Sequence, residues 1–486
     1  MHGRSWQGKT LTFWRVLALL VLAAGLVTVA PNPAHASTSQ FKGVNWADPR
    51  DNFVNGVLYL SGLSSADTYA SATTVGNQVV GQLYSITGAN TVRMPINEPT
   101  VANYWATYTG AIDAALTKGK VILAYWAYTG GRPQNATAFN QMWDKVIAQY
   151  GSNPNAYFEV INEPHGYSNT DLNNMYNSWL GRYSSVPRGR VILDGAGLAQ
   201  NVPAVGNDTR LNGTLLAVHD YSFFAGYESE TEWGNHIGGY IGNFADRTIA
   251  TEWGGPMSPG SKNGVYFDRI DYNVPSGSYM SDYIRGVSAK LRSLGMGSVY
   301  WPGLRDGDWY SLTTRTGNGA DLRLALSNPS GLQRLQYSWG IGDGGTTTAK
   351  IRNIATSQYV DGMGATTNGT AAGQRPSASA TEQQWVIEET GTGAYVRIKN
   401  AATGLYLDGA GQTSNGANAS QWSASTSNNQ QWTVVTGATN GNDIRIRNRA
   451  TGLYLDGMGR TTSGANVGQW SDSGSNNQKW RIVPAS

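Results

Sequence analysis

Two glutamates stand out by their company. Glu163 sits in Asn162-Glu163-Pro164-His165 and Glu252 in Thr251-Glu252-Trp253-Gly254. Each lies at the end of a short apolar run, among polar and aromatic neighbours that a core does not need there. Two carboxylates brought to one point can divide a reaction between them. One, protonated, donates to a leaving oxygen; the other, ionised, attacks carbon or activates water. Cleavage of a glycosidic bond requires that division. A lone Glu is ordinarily an ion-pair partner, but a pair placed in this way is a candidate centre.

The runs that must position them number eight: Phe41–Trp46, Thr91–Asn97, Val121–Tyr128, Tyr157–Pro164, Arg190–Gly197, Leu215–Ser222, Thr248–Gly255 and Gly297–Gly303. Most are almost continuously apolar, as strands covered on both faces are. Helix-periodic stretches such as Ala138–Tyr150 and Ser281–Leu294 lie between several of them, although Asn201–Leu211 contains no convincing helix. Eight strands alternating with helices predict a (β/α)8 TIM barrel, whose chemistry gathers where strands end. Those ends carry Trp46, Arg93, Trp126, Tyr128, Asn162, Glu163, His219, Tyr221, Glu252 and Trp301.

The segment Phe158-Glu159-Val160-Ile161-Asn162-Glu163-Pro164 resembles the Asn-Glu-Pro motif of glycoside hydrolase family 5. His219-Asp220-Tyr221, Ile249–Gly254, Arg93 and Trp301 are similar to further motifs of that family, over roughly residues 40–330. The resemblance implies Glu163 as general acid/base and Glu252 as nucleophile. It implies Asn162 on the sugar 2-hydroxyl, His219 and Tyr221 orienting the carboxylates, Arg93 keeping Glu252 ionised, and Trp301 stacking under the sugar. Trp46, Trp126 and Tyr128 join it as substrate-binding candidates. One departure is plain: the family carries a His near the end of the third strand, and this chain has Trp126 and Tyr128 there. An altered subsite is therefore expected. An exo-acting furanosidase on arabinofuranosyl or galactofuranosyl residues stands as an alternative to an endo-β-glycanase. A secreted lectin with an inactive barrel is the alternative from another class.

After about Tyr337 the composition changes. Residues 339–348 are rich in Gly and Thr and read as a linker. Beyond them Asp361, Asp408 and Asp456 recur at intervals of 47 and 48, each followed 24 residues later by Trp385, Trp432 or Trp480. Three such units predict a β-trefoil over 349–486, each final Trp serving as a shared core residue. The Gln-x-Trp repeat resembles ricin-B-type lectins, carbohydrate-binding module family 13. That resemblance implies sugar sites at Asp408, Trp422, Asn429 and Gln430 in the second lobe, and at Asp456, Trp470, Asn477 and Gln478 in the third. In the first lobe Arg375 replaces the aromatic.

Composition narrows the rest. With no Cys and five His, a disulfide frame, a thiol nucleophile and a structural zinc site are not expected, nor is any cofactor. Residues 1–36 read as a secretory signal: Arg4, Lys9 and Arg15, the apolar run Val16–Ala30, then Ala34-His35-Ala36. Removing it subtracts three of 35 Lys+Arg and balances them against 32 Asp+Glu. A neutral chain without basic runs does not fit nucleic acid. The expectation is an extracellular monomer, free of membrane after cleavage, with a barrel over 37–338 and a polysaccharide or oligosaccharide as its substrate.

Overall fold

Period-two alternation decides which side of each strand meets the barrel axis. In the computed structural model the described residues are 38–50, 54–223, 226–227, 229–262, 264–273, 275, 278–342, 348–390, 395–436 and 443–484. The expected signal segment and the centre of the expected linker lie outside them. Among the described residues no helix is long and apolar enough to cross a membrane.

Eight parallel strands form the first half: β1 (Lys42–Trp46), β2 (Thr91–Ile96), β3 (Lys120–Tyr125), β4 (Ala156–Glu159), β5 (Val191–Asp194), β6 (Leu215–Asp220), β7 (Thr248–Trp253) and β8 (Gly297–Leu304). Each pairs with the next, and β8 pairs back to β1, so the sheet closes. The expected barrel is present, and all its strands but the eighth are shorter than the apolar runs. The fourth strand stops at Glu159 rather than Pro164. Proline has no N–H for a ladder, and Glu163 takes a left-handed backbone with φ 47°.

One apolar cluster packs Phe41, Ile122, Tyr157, Ile192, Leu215, Ala217, Ile249 and Val299 together. Two residues further along their strands come Glu159, Asp194, His219, Thr251 and Trp301. Strand periodicity thus sets a polar layer directly above an apolar one. Between β6 and β7 the register shifts at Val218/His219, so that His219 pairs with Glu252. This irregularity brings Glu252 beside His219 instead of one pleat away. Gly254 is required just beyond: a Cβ there would meet the Trp301 carbonyl oxygen at 1.9 Å.

The outer layer is helical. Ala136–Tyr150 starts where the Asn135 side chain accepts from the Ala138 N–H, and buries Phe139, Met142, Trp143, Val146 and Tyr150. Tyr279–Ser293 covers the other expected stretch. Between β5 and β6 there are only short pieces, including Val202–Gly206, where no convincing helix was legible.

The second half is all β, with the same strand pattern three times. Trp385, Trp432 and Trp480 are fully buried in one shared cluster, and each indole N–H donates to the carbonyl of Val360, Leu407 or Leu455. A second threefold set joins the lobes in a ring. The Nε2 of buried Gln374 donates to Gly457 O at 2.8 Å, that of Gln421 to Gly362 O at 3.0 Å, and that of Gln469 to Gly409 O at 3.1 Å. Buried amide donors aimed at backbone carbonyls of the neighbouring lobe supply the cross-links that disulfides supply elsewhere.

Candidate active site and sugar-binding lobes

Arg93, fully buried on β2, is the hub of the barrel site. Its Nε and Nη2 hold both oxygens of Glu159, at 2.7 and 2.6 Å. Its Nη1 reaches Glu252 Oε1 at 2.5 Å and Asn45 Oδ1 at 3.0 Å, and Nη2 also donates to Asn162 Oδ1 at 2.5 Å. All five guanidinium N–H groups therefore have acceptors, which fixes the plane of the group and everything attached to it.

Around this hub the two glutamates receive different treatment. The Glu252 carboxylate accepts from Arg93 on one oxygen and from the Tyr221 hydroxyl on the other, at 2.9 Å. Burial alone would raise its pKa, but His219 and Arg93 overrule it and hold the carboxyl below its ordinary value. Glu163 is the more open of the pair. Its Oε1 lies 3.0 Å from His219 Nδ1, while the other ring nitrogen meets Thr251 Oγ1 at 2.9 Å. Burial opposes a charge on His219, yet Glu252 first and Glu163 after it push its pKa up to about 9. The ring is accordingly an imidazolium at neutral pH, donating toward Glu163. Oxygens of Glu163 and Glu252 and a His219 nitrogen all lie within 4.8 Å of one another. Arg93 already occupies the place a cation would take between Glu159 and Glu252.

A cavity of about 560 Å³ opens above these groups, lined by Glu163, His219, Tyr221 and Trp301. The structure thus brings together Arg93, Asn162, Glu163, His219, Tyr221, Glu252 and Trp301. Trp126 is buried and packs on Trp301 with ring centroids 5.4 Å apart, so it backs the cavity wall. Tyr128, half-buried, is not part of the lining. Trp46 is a correction: it is fully buried in the main core and its indole donates to Ser61 O at 3.0 Å, because its strand position faces the helices. His165 bridges the carbonyls of Glu163 and Thr129, a loop role. Sequence reading missed Glu159, Asp194 and Thr251, which lay inside the apolar runs. It also missed Phe223 and Lys262, whose ammonium sits 3.8 Å from the Phe223 ring centroid. Inner-face parity was the signal for the first three; the last two carried none.

Comparison with known families decides the wider question. The model for "Cellulase (glycosyl hydrolase family 5)" matches residues 54–301. The chain belongs to glycosyl hydrolase family 5. A "Ricin-type beta-trefoil lectin domain-like" model matches residues 335–422 and 428–486. This family 5 glycoside hydrolase therefore carries a ricin-B lectin-like carbohydrate-binding domain, and both halves have a saccharide as ligand. Among solved structures, XacCel5A in complex with cellopentaose is 14% identical, with 61% of this chain and 99% of that one covered, at a TM-score of 0.42. The designed threefold-symmetric protein ThreeFoil is 32% identical over 28% of this chain and 97% of its own, at 0.27. An exo-β-1,3-galactanase from Clostridium thermocellum is 26% identical over 30% of this chain and 31% of that one, at 0.28. No curated protein matches the sequence.

In the trefoil the lobes differ as expected in one respect and not in another. Asp408 and Asp456 are buried, each with one oxygen accepting from a backbone N–H two residues on. Trp422 is 39% exposed and lies across from Asp408's strand, with Trp470 in the same place beside Asp456. Asn429 and Asn477 accept from Gly411 and Gly459 N–H groups, leaving their amide nitrogens at the surface. Gln430 and Gln478 are a correction. Both are buried, accepting from Ser425 or Ser473 N–H and donating to Ser423 or Ser471 O. Gln383 does the same in the first lobe, so this Gln closes a loop rather than meeting sugar. In that lobe Arg375 stands 3.9 Å from Asp361.

Proposed function

We propose that the protein is a retaining glycosidase working by double displacement, with Glu252 as nucleophile and Glu163 as acid/base. The observation that carries this is the asymmetry of the two carboxylates. Glu252 is clamped ionised by Arg93, His219 and Tyr221, while Glu163 stands beside the cavity with a single cationic neighbour. In the first step Glu252 attacks the anomeric carbon and the glycosidic C–O bond breaks. The Glu163 proton goes to the leaving oxygen. In the second, water gives its proton to Glu163 and its oxygen to the anomeric carbon, releasing Glu252. Oxygens within 4.8 Å of each other support direct attack, since a water between the carboxyls needs a separation of about 6.5–9.5 Å. Asn162 has one amide nitrogen left to donate to a sugar hydroxyl, and Trp301 offers its face.

The substrate is a plant or microbial polysaccharide, captured by the trefoil and cut in the barrel. The exo-furanosidase reading is favoured by one feature, Trp126 packed on Trp301 where the family carries a His. That pair reshapes the wall against which the reacting sugar lies. The intact carboxylate pair argues against an inactive barrel. Cleavage before Ser37 would release the enzyme outside the cell, and N-terminal sequencing of the mature protein tests that. A panel of nitrophenyl furanosides and pyranosides beside polysaccharides, with products sized, tells exo from endo action. NMR of the first-formed product should show the anomeric configuration retained; initial release of the opposite anomer would overturn the mechanism.

A further inference from the structure

Asp194 closes β5 and is fully buried. Its Oδ2 accepts the backbone N–H of Glu163 at 2.9 Å. Glu163 is a non-glycine residue at φ 47°, a conformation that costs about 1–3 kcal/mol and persists only where neighbours impose it. The neighbours come from the end of β5. Beyond Asp194 the chain makes a tight turn in which Leu198 and Ala199 are themselves left-handed, and the Leu198 N–H donates to Pro164 O at 3.1 Å. Two bonds from one turn thus grip the Glu163–Pro164 segment. Other groups face Asp194 from every side: Glu159 on β4, Arg93 on β2, His219 on β6 with Nε2 at 3.8 Å, and Tyr176, whose hydroxyl donates to the Asp194 carbonyl.

We propose that Asp194 is a positioning residue for glycoside cleavage: its Oδ2 holds the Glu163 amide in the left-handed turn that sets the Glu163 carboxyl against His219 and toward the cavity. The proposal rests on the reading of Glu163 as acid/base. The position calls for a neutral acceptor. Burial, with the Glu159 carboxylate beside it, pushes the Asp194 carboxyl well above the ordinary range. Its Oδ1 is buried with no hydrogen-bond partner among the described residues, so no donor there stabilises an anion. An anionic Asp194 would compete with Glu163 for the charge on His219; a neutral one fixes the peptide and leaves that charge alone.

Asn keeps the acceptor oxygen and the shape, whereas Ser is too short to reach the amide. Asp194→Ser should lower kcat/KM for glycosides with poor leaving groups by about 10²-fold, and for activated aryl glycosides by less than about fivefold. Asp194→Asn should recover to within about fivefold of the wild type on both classes and keep the alkaline limb of the pH profile in place. Equal losses by D194S on both classes, in a protein with unchanged melting temperature, would overturn the proposal. So would a D194N loss above about tenfold or a displaced alkaline limb, and this arm decides alone if D194S does not fold. Glu163→Ala run in parallel separates the two readings. If E163A shows no dependence on the leaving group, the acid/base assignment fails; if it does and D194S does not, only the role of Asp194 fails.

Discussion

The barrel site and the trefoil lobes both present carboxylates near their ligand surfaces, and they hold them by opposite means. In the barrel Glu159, Glu252 and Asn162 converge on one guanidinium with no donor left over. In the trefoil Asp361, Asp408 and Asp456 each accept a backbone N–H within their own lobe. Charge in the barrel is over-determined because catalysis needs a fixed electrostatic contrast between two acids. A sugar-binding lobe needs only shape, one acceptor and an aromatic face, and repeating such a lobe adds affinity by number. Even cohesion differs: ions cross-link the barrel's polar layer, and neutral glutamine amides cross-link the lobes.

The largest effect should fall on activity. Glu252→Ala should lower turnover about 10³-fold or more on every substrate, and azide should restore it with inverted product. Glu163→Ala should cost about 10²–10⁴-fold on poor leaving groups and far less on activated aryl glycosides. Product NMR and paired kinetics check both.

Next comes stability. Arg93→Met leaves Glu159 and Glu252 buried without their cation and should destabilise the protein by about 3–5 kcal/mol, read by denaturant unfolding of the barrel. Gln421→Ala should cost only about 1–3 kcal/mol, because it removes one neutral bond to the Gly362 carbonyl, which still accepts from the Ala365 N–H. Equal costs would erase the contrast between ionic and neutral cross-links.

The pH dependence should follow His219. Its folded pKa is about 9 against an ordinary 6.5, so its contribution is fully present below about 6.5 and lost as pH rises through about 9. Glu252 acts in the other direction: its folded pKa is depressed, and its contribution is lost as pH falls through that lowered value. Melting temperature should therefore decline on the alkaline side, and His219→Gln should flatten that limb. An unchanged slope would mean the ring is neutral.

The smallest effects belong to the lobes. Asp408→Ala and Asp456→Ala should each weaken retention on immobilised polysaccharide, and the double variant should do so more than additively. Asp361→Ala should do little, because Arg375 stands where the other lobes have Trp. Affinity electrophoresis ranks them; a loss at Asp361 equal to that at Asp408 would make the lobes equivalent.

Much of the site was legible because chemistry-bearing residues broke apolar runs at their ends. Arg93, Glu163, His219, Tyr221, Glu252 and Trp301 all announced themselves that way. Trp46 was read by the same rule and is core, since a strand end has two faces and only one meets the axis. Gln430 and Gln478 were read as ligand-facing from their motif, yet amides equally well close loops, and that choice depends on backbone groups five to seven residues away.

The sequence by itself determined eight strands, three repeats, the two glutamates and the buried Trp of each lobe. These follow from local periodicity and residue type, which every short window of chain carries. Only the tertiary structure decided that Glu159 and Asp194 belong to the site, and that Arg93 serves two acids at once. It also decided that the register shift beside His219 brings Glu252 next to that ring. The partners are 66 and 159 residues from Arg93 in sequence. Nothing local encodes their distance; closing the barrel sets it, because eight strands in fixed register leave each inner side chain one place to go.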